Sequence, residues 1–325
     1  MKLPRRQFLH LAAGAAALPA LSRFARAQTY PARPVRIIVA STPGSAPDIL
    51  TRLMGQWLSE RLGHPFVIEN RPGAGGNIGT EAAARAPADG YTLLAVTPAS
   101  AINATLYDKL NFNFIRDIAP VASIIRVPIV MEVNLSVPVM TVPEFIAYAK
   151  ANSGKISMAS PGNGTPAHVS GELFKMMTCV QMVHVAYRGD APALTDLLGG
   201  QVHVLFASVP GSIEYIRAGK LRALAVTTTT RSQVLPDIPS LSDFLSDYDA
   251  SFWAGIGAPK NTPAEIIDKL NQEINAGLTD PKIKARLVDL GGTVLAGSPA
   301  DFGKLIAEET EKWAKVVKFG GLKPD

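Results

Sequence analysis

Along this chain, short apolar runs rich in β-branched residues alternate with stretches whose apolar positions recur at helical spacing. "PVRIIVAS", "PFVIENR" and "YTLLAVTP" each hand over to such a stretch, respectively "DILTRLMGQWLSERLG", "GTEAAARAPADG" and "ASAINATLYDKL". The alternation predicts parallel strands joined by crossover helices, an α/β sheet. It restarts with "KISMAS" then "AHVSGELFKMMTC", "MVHVAY" then "APALTDLLGGQ", and "VHVLFAS" then "PGSIEYIRAGK", before a last run, "LRALAVTT". Two α/β units are therefore predicted.

Between the units lies "DIAPVASIIRVPIVMEVNLSVPVMTVPEF", extended in character and punctuated by prolines, which suits a strand passing from one unit to the next. A second crossing is expected in "QVLPDIPSLSDFLSDYDASFWAGIGAPKNTP". Only helical patterns follow it, and these are expected to pack back on the first unit. The expected division is residues 29–128 plus 250–325 for domain 1 and 129–249 for domain 2. Two crossings between two lobes make a hinge.

Length agrees with two domains, and the N-terminus changes the meaning of the charge. The opening "MKLPRRQFLHLAAGAAALPALSRFARAQ" has paired arginines, an apolar core rich in alanine and small residues that suit cleavage near Ala27. Residues 1–27 therefore read as an export signal, with Arg5-Arg6 before Gln7-Phe8-Leu9 pointing to the twin-arginine route. That segment holds five of the 32 basic residues and none of the 27 acids, so removing it leaves 27 of each. The basicity is thus a targeting feature and gives no support to nucleic-acid binding. About 298 residues remain, more than one core usually serves. A single cysteine, Cys179, excludes an internal disulfide and reads as a small buried apolar side chain.

Candidate chemistry gathers in loops. "TPGSAPD", "RPGAGGNIGT" and "SPGNGTPAH" each follow a strand, carry a Pro-Gly pair and run into a helix. Glycines bring amide N–H groups close to a bound group, and the first helical turn adds unpaired donors and partial positive charge. Anion binding is the chemistry this favours, in a cleft at the carboxyl ends of the strands. An ordinary strand-to-helix connection would carry the same residues.

Sharper motifs are missing. Gly73, Gly75 and Gly79 give GxGxxxG, but no tyrosine has a lysine four residues later, as a dehydrogenase of that kind requires. Ser45 lies in PGSAP and not in GxSxG. His168, His184 and His203 are scattered, and none belongs to HExxH. No catalytic group, metal site or cofactor is expected. Ser45 and Asp48 have the Ser-x-x-Asp spacing of a capping box, so Asp48 is expected to shape the helix start while Gly44 and Ser45 offer the donors. In "VAYRGDAPAL", Asp190 either caps a helix or, with Tyr187, meets an amino or hydroxyl group of a ligand.

"ENRPGAGGNIGTEAAARAPADGYTLL", "SPGNGTPAHVSGELFKMM", "VHVAYRGDAPALTDLLGGQV" and "LPDIPSL" with the following "FWAGIGAPKNTP" resemble, in order, the signatures of the tripartite tricarboxylate transporter substrate-binding proteins, also called Bug receptors. The resemblance implies a two-lobed periplasmic binding protein, type II-like, with two crossing hinge segments. It implies a monomer that captures a small carboxylated ligand for a two-component membrane permease, and is not itself inserted in the membrane. Dicarboxylates, tricarboxylates, acidic amino acids and aromatic acids all fit. The expected ligand-lining residues are Pro43, Gly44, Ser45, Asp48, Gly75, Gly76, Asn77, Thr97, Ala99 and Ser100 from one lobe. Asn163, Gly164, Thr165, His168, Tyr187, Arg188, Gly189, Asp190 and Ala207 come from the other. Three places depart from the family pattern: Ser45 replaces a second glycine, Thr51 replaces the alanine before Arg52, and Ala207-Ser208 stands where an aspartate is frequent. A secreted enzyme acting on a small acid through Asp48, Ser45 or His168, and a ligand-sensing lobe for a membrane signalling partner, are the alternatives.

Overall fold

A computed structural model describes residues 30–324; the export-signal reading of residues 1–27 lies outside the described residues. From Arg33 onward the chain forms one compact unit. Its first half holds β1 (Val35–Val39), α1 (Ala46–Leu62), β2 (Phe66–Asn70), α2 (Asn77–Ala84), β3 (Thr92–Val96), α3 (Pro98–Leu106) and the single turn α4 (Phe114–Asp117). A long strand, β4 (Ile118–Asn134), leads out of it. The second half holds α5 (Val142–Ala151), β5 (Ile156–Ser160), α6 (Pro166–Thr178), β6 (Met182–Ala186), α7 (Asp190–Leu198), β7 (Val204–Ser208), α8 (Val209–Arg217) and β8 (Leu221–Val226). Then come β9 (Ser251–Pro259), α9 (Ala264–Thr279), α10 (Pro281–Asp289), β10 (Thr293–Val294) and α11 (Pro299–Gly320).

Each half contains a parallel triplet, as the alternating pattern predicts. β2-β1-β3 run parallel in the first half and β6-β5-β7 in the second. Val35, Ile37, Ile38 and Val39 of β1 are fully buried, as a strand covered by helices on both faces requires. The sheet is mixed and not wholly parallel. β4 leaves the first half while β9 returns to it, so the two pair antiparallel over most of β9, from Ile118 against Pro259 to Pro128 against Ser251. From Ile129 onward β4 pairs instead with β7 and β8, both antiparallel. The change of partner falls between Pro128 and Ile129, and Ala250 N–H, just before β9, donates to Thr227 carbonyl, just after β8.

The C-terminal segment departs from its expected path in two ways. A two-residue strand, β10, pairs with β4 at Ile125 and Arg126, where only helical pattern was legible. α11 packs on α3 and β4 of the first half but also on α6 of the second. Its buried Glu309 accepts from the indole N–H of Trp253 (3.1 Å) and of Trp313 (2.7 Å) and pairs with Lys312. Trp253 in turn meets Phe302 edge to face at 5.8 Å. A carboxylate held by three donors can be buried without remaining unpaired, and here it fastens the last helix to the returning strand. Cys179 is a second correction. It ends α6 in the left-handed conformation (φ 58°), and its side chain is exposed.

Glu132 on β4 is fully buried between β7 and β8; Ser212 donates to one carboxyl oxygen at 2.7 Å, and the other has no partner. Burial pushes its pKa up to about 8, against the smaller opposing effect of Ser212. The folded chain therefore keeps this proton up to about pH 8, whereas the unfolded chain releases it near the ordinary glutamate value. Glu132 contributes a loss of stability as pH rises from about 4.5 to about 8, with a limiting slope of about 1.4 kcal/mol per pH unit. Glu132→Gln is expected to flatten the melting temperature against pH across that window and to melt higher than the parent chain at pH 8. Equal slopes for the two proteins would contradict this.

Candidate functional site

Six strand-to-helix loops stand at the carboxyl ends of the parallel strands, three from each half. After β1, Asp48 in the first turn of α1 is almost wholly covered and accepts three hydrogen bonds: Gly44 N–H at 2.8 Å, Asn70 Nδ2 at 2.9 Å and Arg52 Nε at 3.0 Å. Burial acts to raise its pKa, but the bonds from Arg52, Gly44 and Asn70 outweigh it and hold the carboxyl below the ordinary aspartate value. Asn70 also reaches Ser41 carbonyl at 3.1 Å, which ties the end of β2 to this loop.

The loop after β2 is pressed against the first. A β-carbon on Gly76 would lie 3.1 Å from Ala40 carbonyl, and one on Gly79 would lie 2.9 Å from Ala40 Cα, so only glycine allows the approach. Residues 73 to 76 all have positive φ, Ala74 included. Asn103 of α3 braces this backbone, donating through Nδ2 to Gly75 carbonyl (2.8 Å) and Asn77 Oδ1 (3.1 Å). Asn77 Nδ2 is buried and has no protein partner, a donor that a ligand oxygen or water would satisfy. Thr97 takes the N-cap position of α3 without using its side chain as a cap, and Ser100 N–H returns to Thr97 carbonyl.

In the second half, Thr165 caps α6 by accepting from His168 N–H at 3.3 Å. His168 lies buried beneath, and its Nδ1 accepts Gly164 N–H at 3.1 Å. That bond places its remaining ring proton on Nε2, facing Glu172 at 3.6 Å. The ring stacks on His184 with centroids 3.6 Å apart, and His184 Nε2 meets Ser160 Oγ at 2.6 Å. These two histidines are therefore a pair, not scattered, while His203 stands elsewhere as the acceptor of Ser157 N–H. Tyr187 N–H donates to Ser160 carbonyl and Gly189 N–H to Pro161 carbonyl, so the loops after β5 and β6 are sewn together. The halves touch through one of these loops: a β-carbon on Gly164, whose φ is +69°, would lie 2.3 Å from Leu106 Cδ2 at the end of α3.

Residues 50–322 match the family described as "Tripartite tricarboxylate transporter family receptor" (TctC). The chain belongs to this receptor family. It is 36% identical to Protein BugT of Bordetella pertussis over 300 residues, covering 91% of this chain and 92% of that one. Among solved structures, R. palustris Rpa4515 with adipate superposes with a TM-score of 0.81 at 36% identity, covering 91% of this chain and all of the other. MatC from Rhodopseudomonas palustris with bound malate gives 0.77 at 29% identity, over 89% of this chain and all of that one. The α/β fold of a periplasmic binding protein is thus shared, as is the character of a solute-binding receptor.

Within this receptor several expected roles change. Gly44 N–H is spent on Asp48 and Ser45 N–H on Thr42 carbonyl, so neither amide is a free donor; Ala46 and Ala99, first-turn amides, find no acceptor among the described residues. The expected capping box does not form. Ser45 sits at the N-cap, but its hydroxyl turns to Thr42 carbonyl and Ser41, while Asp48 reaches back one residue further than expected. His168 is a covered post under Gly164, and Ala207 is buried within β7. Gly189, not Asp190, takes the N-cap position of α7; the Asp190 residue is exposed to solvent, yet the protein crowded around it raises its carboxyl above the ordinary value, with its own N–H opposing. Tyr187 Oη donates to Asp196 at 2.7 Å, and burial together with that carboxylate pushes its pKa up to about 12. Arg188 is exposed. Among the described residues, no group of His, Cys, Asp or Glu could hold a metal ion, and no helix is long and apolar enough to cross a membrane.

Asp48→Ala removes the acceptor of three bonds at once. The expected result is a folded protein about 2 kcal/mol less stable, with ligand affinity reduced about tenfold, read by denaturant unfolding and calorimetric titration. Unchanged affinity would show that Asp48 does not set the shape of the binding loop.

Proposed function

We propose that this receptor captures a small carboxylate between its two halves and delivers it to a two-component membrane permease. The two halves act as lobes, residues 29–128 with 250–325 and residues 129–249, that close about the crossing strands. The observation that carries this reading is the bracing of loops at the carboxyl ends of both parallel triplets, together with the contact between the halves where the Gly164 backbone lies against Leu106. The donors these loops offer are amides of helix starts and the unpartnered Asn77 Nδ2. Helix starts stabilise a carboxylate through oriented dipoles, without requiring a buried cation.

Charge at the rim narrows the ligand. Arg188, exposed beside Asp190, suits the far carboxylate of a dicarboxylic acid, whereas Asp190 suits an amino or hydroxyl group. The adipate and malate held by two relatives fall in that class. Closure depends on ligand because the closed form offers contacts from both lobes and the open form offers one set. Each hydrogen bond to a charged oxygen contributes about 1.5 to 3 kcal/mol, so a few suffice for micromolar binding after the ordering cost.

A thermal-shift panel of carboxylic acids on the mature chain tests the proposal. A ligand at 100 times its dissociation constant adds about 2.7 kcal/mol of stability, and a dicarboxylate is expected to raise the melting temperature by several degrees. No shift with any carboxylate, alongside a shift with a sugar or a cation, would overturn it.

A further inference from the structure

A cavity of about 50 Å³ lies apart from the loops described above, at the point where the chain crosses between halves. Arg126 and Pro128 of β4 bound it on one side, the segment 228–234 after β8 on another, and Val288 with Gly291, Gly292 and Thr293, the first residue of β10, on the third. Its lining thus joins both halves across the crossing strand, and no carboxylate is part of it. The sequence there, "TTTTRS" over residues 227–232, is dense in hydroxyl groups.

Three features favour a small anion. Arg126 is largely covered and is oriented by Asp249, which takes Nη1 at 2.9 Å and leaves the rest of the guanidinium fork to other acceptors. Arg231 is exposed and only loosely balanced, 3.9 Å from Asp243. Ser232 is 7% exposed, yet its hydroxyl has no hydrogen-bond partner. A buried hydroxyl without a partner is costly, and an acceptor in the cavity would remove that cost. A volume of about 50 Å³ holds a few atoms and not a metabolite.

We propose that this cavity is a second anion site, which takes a small tetrahedral oxyanion of the phosphate or sulfate type. Arg231 supplies the charge, Ser232 donates its hydroxyl, and Arg126 adds a directed N–H from the crossing strand. An ion bound there braces the two halves at the hinge. The proposal does not rest on the carboxylate reading, because its ligand, its residues and its place are different.

The test is a titration of the mature protein with sodium phosphate and with sodium sulfate, against sodium chloride at matched ionic strength, followed by calorimetry and melting temperature. A saturable effect beyond that of chloride is expected, weakened roughly tenfold in Arg231→Ala and in Ser232→Ala and largely kept in Arg231→Lys. Melting of each variant in chloride alone reports its folding. No saturable effect would overturn the proposal. An effect unchanged in both alanine variants but lost in Asp48→Ala would also overturn it, because the ion would then sit in the carboxylate cleft.

Discussion

The structure depends on one strand being hydrogen-bonded along its whole length to two different sets of partners. β4 is paired with β9 and β10 up to Pro128 and with β7 and β8 from Ile129. Because β-pairing fixes register, this strand places the carboxyl ends of both parallel triplets, and so the position of all six loops. β9 returns along the same line, and α11, fastened through Glu309 to Trp253 of β9, covers the junction from α3 to α6. The junction between the halves is a pair of strands with a helix laid across it.

On that frame the loops after the parallel strands are held by buried side chains that act as posts. Asp48, Asn103 and His168 are buried, and each accepts from or donates to a loop peptide: Gly44, Gly75 and Gly164 respectively. Each post sits in the helix that follows its own loop or the next one, so loop and helix start are fixed together. Preorganised amides lose little freedom when a ligand arrives, which is how a few hydrogen bonds yield useful affinity. In the proposed mode of binding these amides would take the place of a buried arginine, in contrast to the cavity at the crossing, which is lined by Arg126 and Arg231.

Much of this was legible from local pattern. The β-branched runs mark β1 to β3 and β5 to β8, with the inner strands β1, β3, β5 and β7 almost wholly buried and the edge strands β2 and β6 only partly covered, and the Pro-Gly loops mark helix starts that follow. What escaped was set by contacts distant in sequence. Asn103 carries no motif of its own, since its partners lie 26 and 28 residues earlier. His168 and His184 meet only because β5 and β6 are adjacent and α6 lies over them. β10 is two residues long, too short for a period to show. Cys179 is exposed because α6 ends in a left-handed turn that cysteine occupies without the glycine that usually signals it. The Ser-x-x-Asp spacing was correct for Asp48 reaching back and wrong about the residue it reaches, because Asn70 and Arg52 pull the carboxylate toward Gly44.

The central claim is that amides at helix starts, held by buried posts, receive the ligand. Backbone amide chemical shifts followed by NMR, during titration with the carboxylate that stabilises the protein most, test it directly. The largest changes are expected at Ala46, Asn77 and Ala99 in one lobe and between Asn163 and Asp190 in the other, with Gly44 and Gly164 moving less because their N–H groups stay bonded to Asp48 and His168. Changes confined to residues outside the six loops, or absent from either lobe, would contradict the claim.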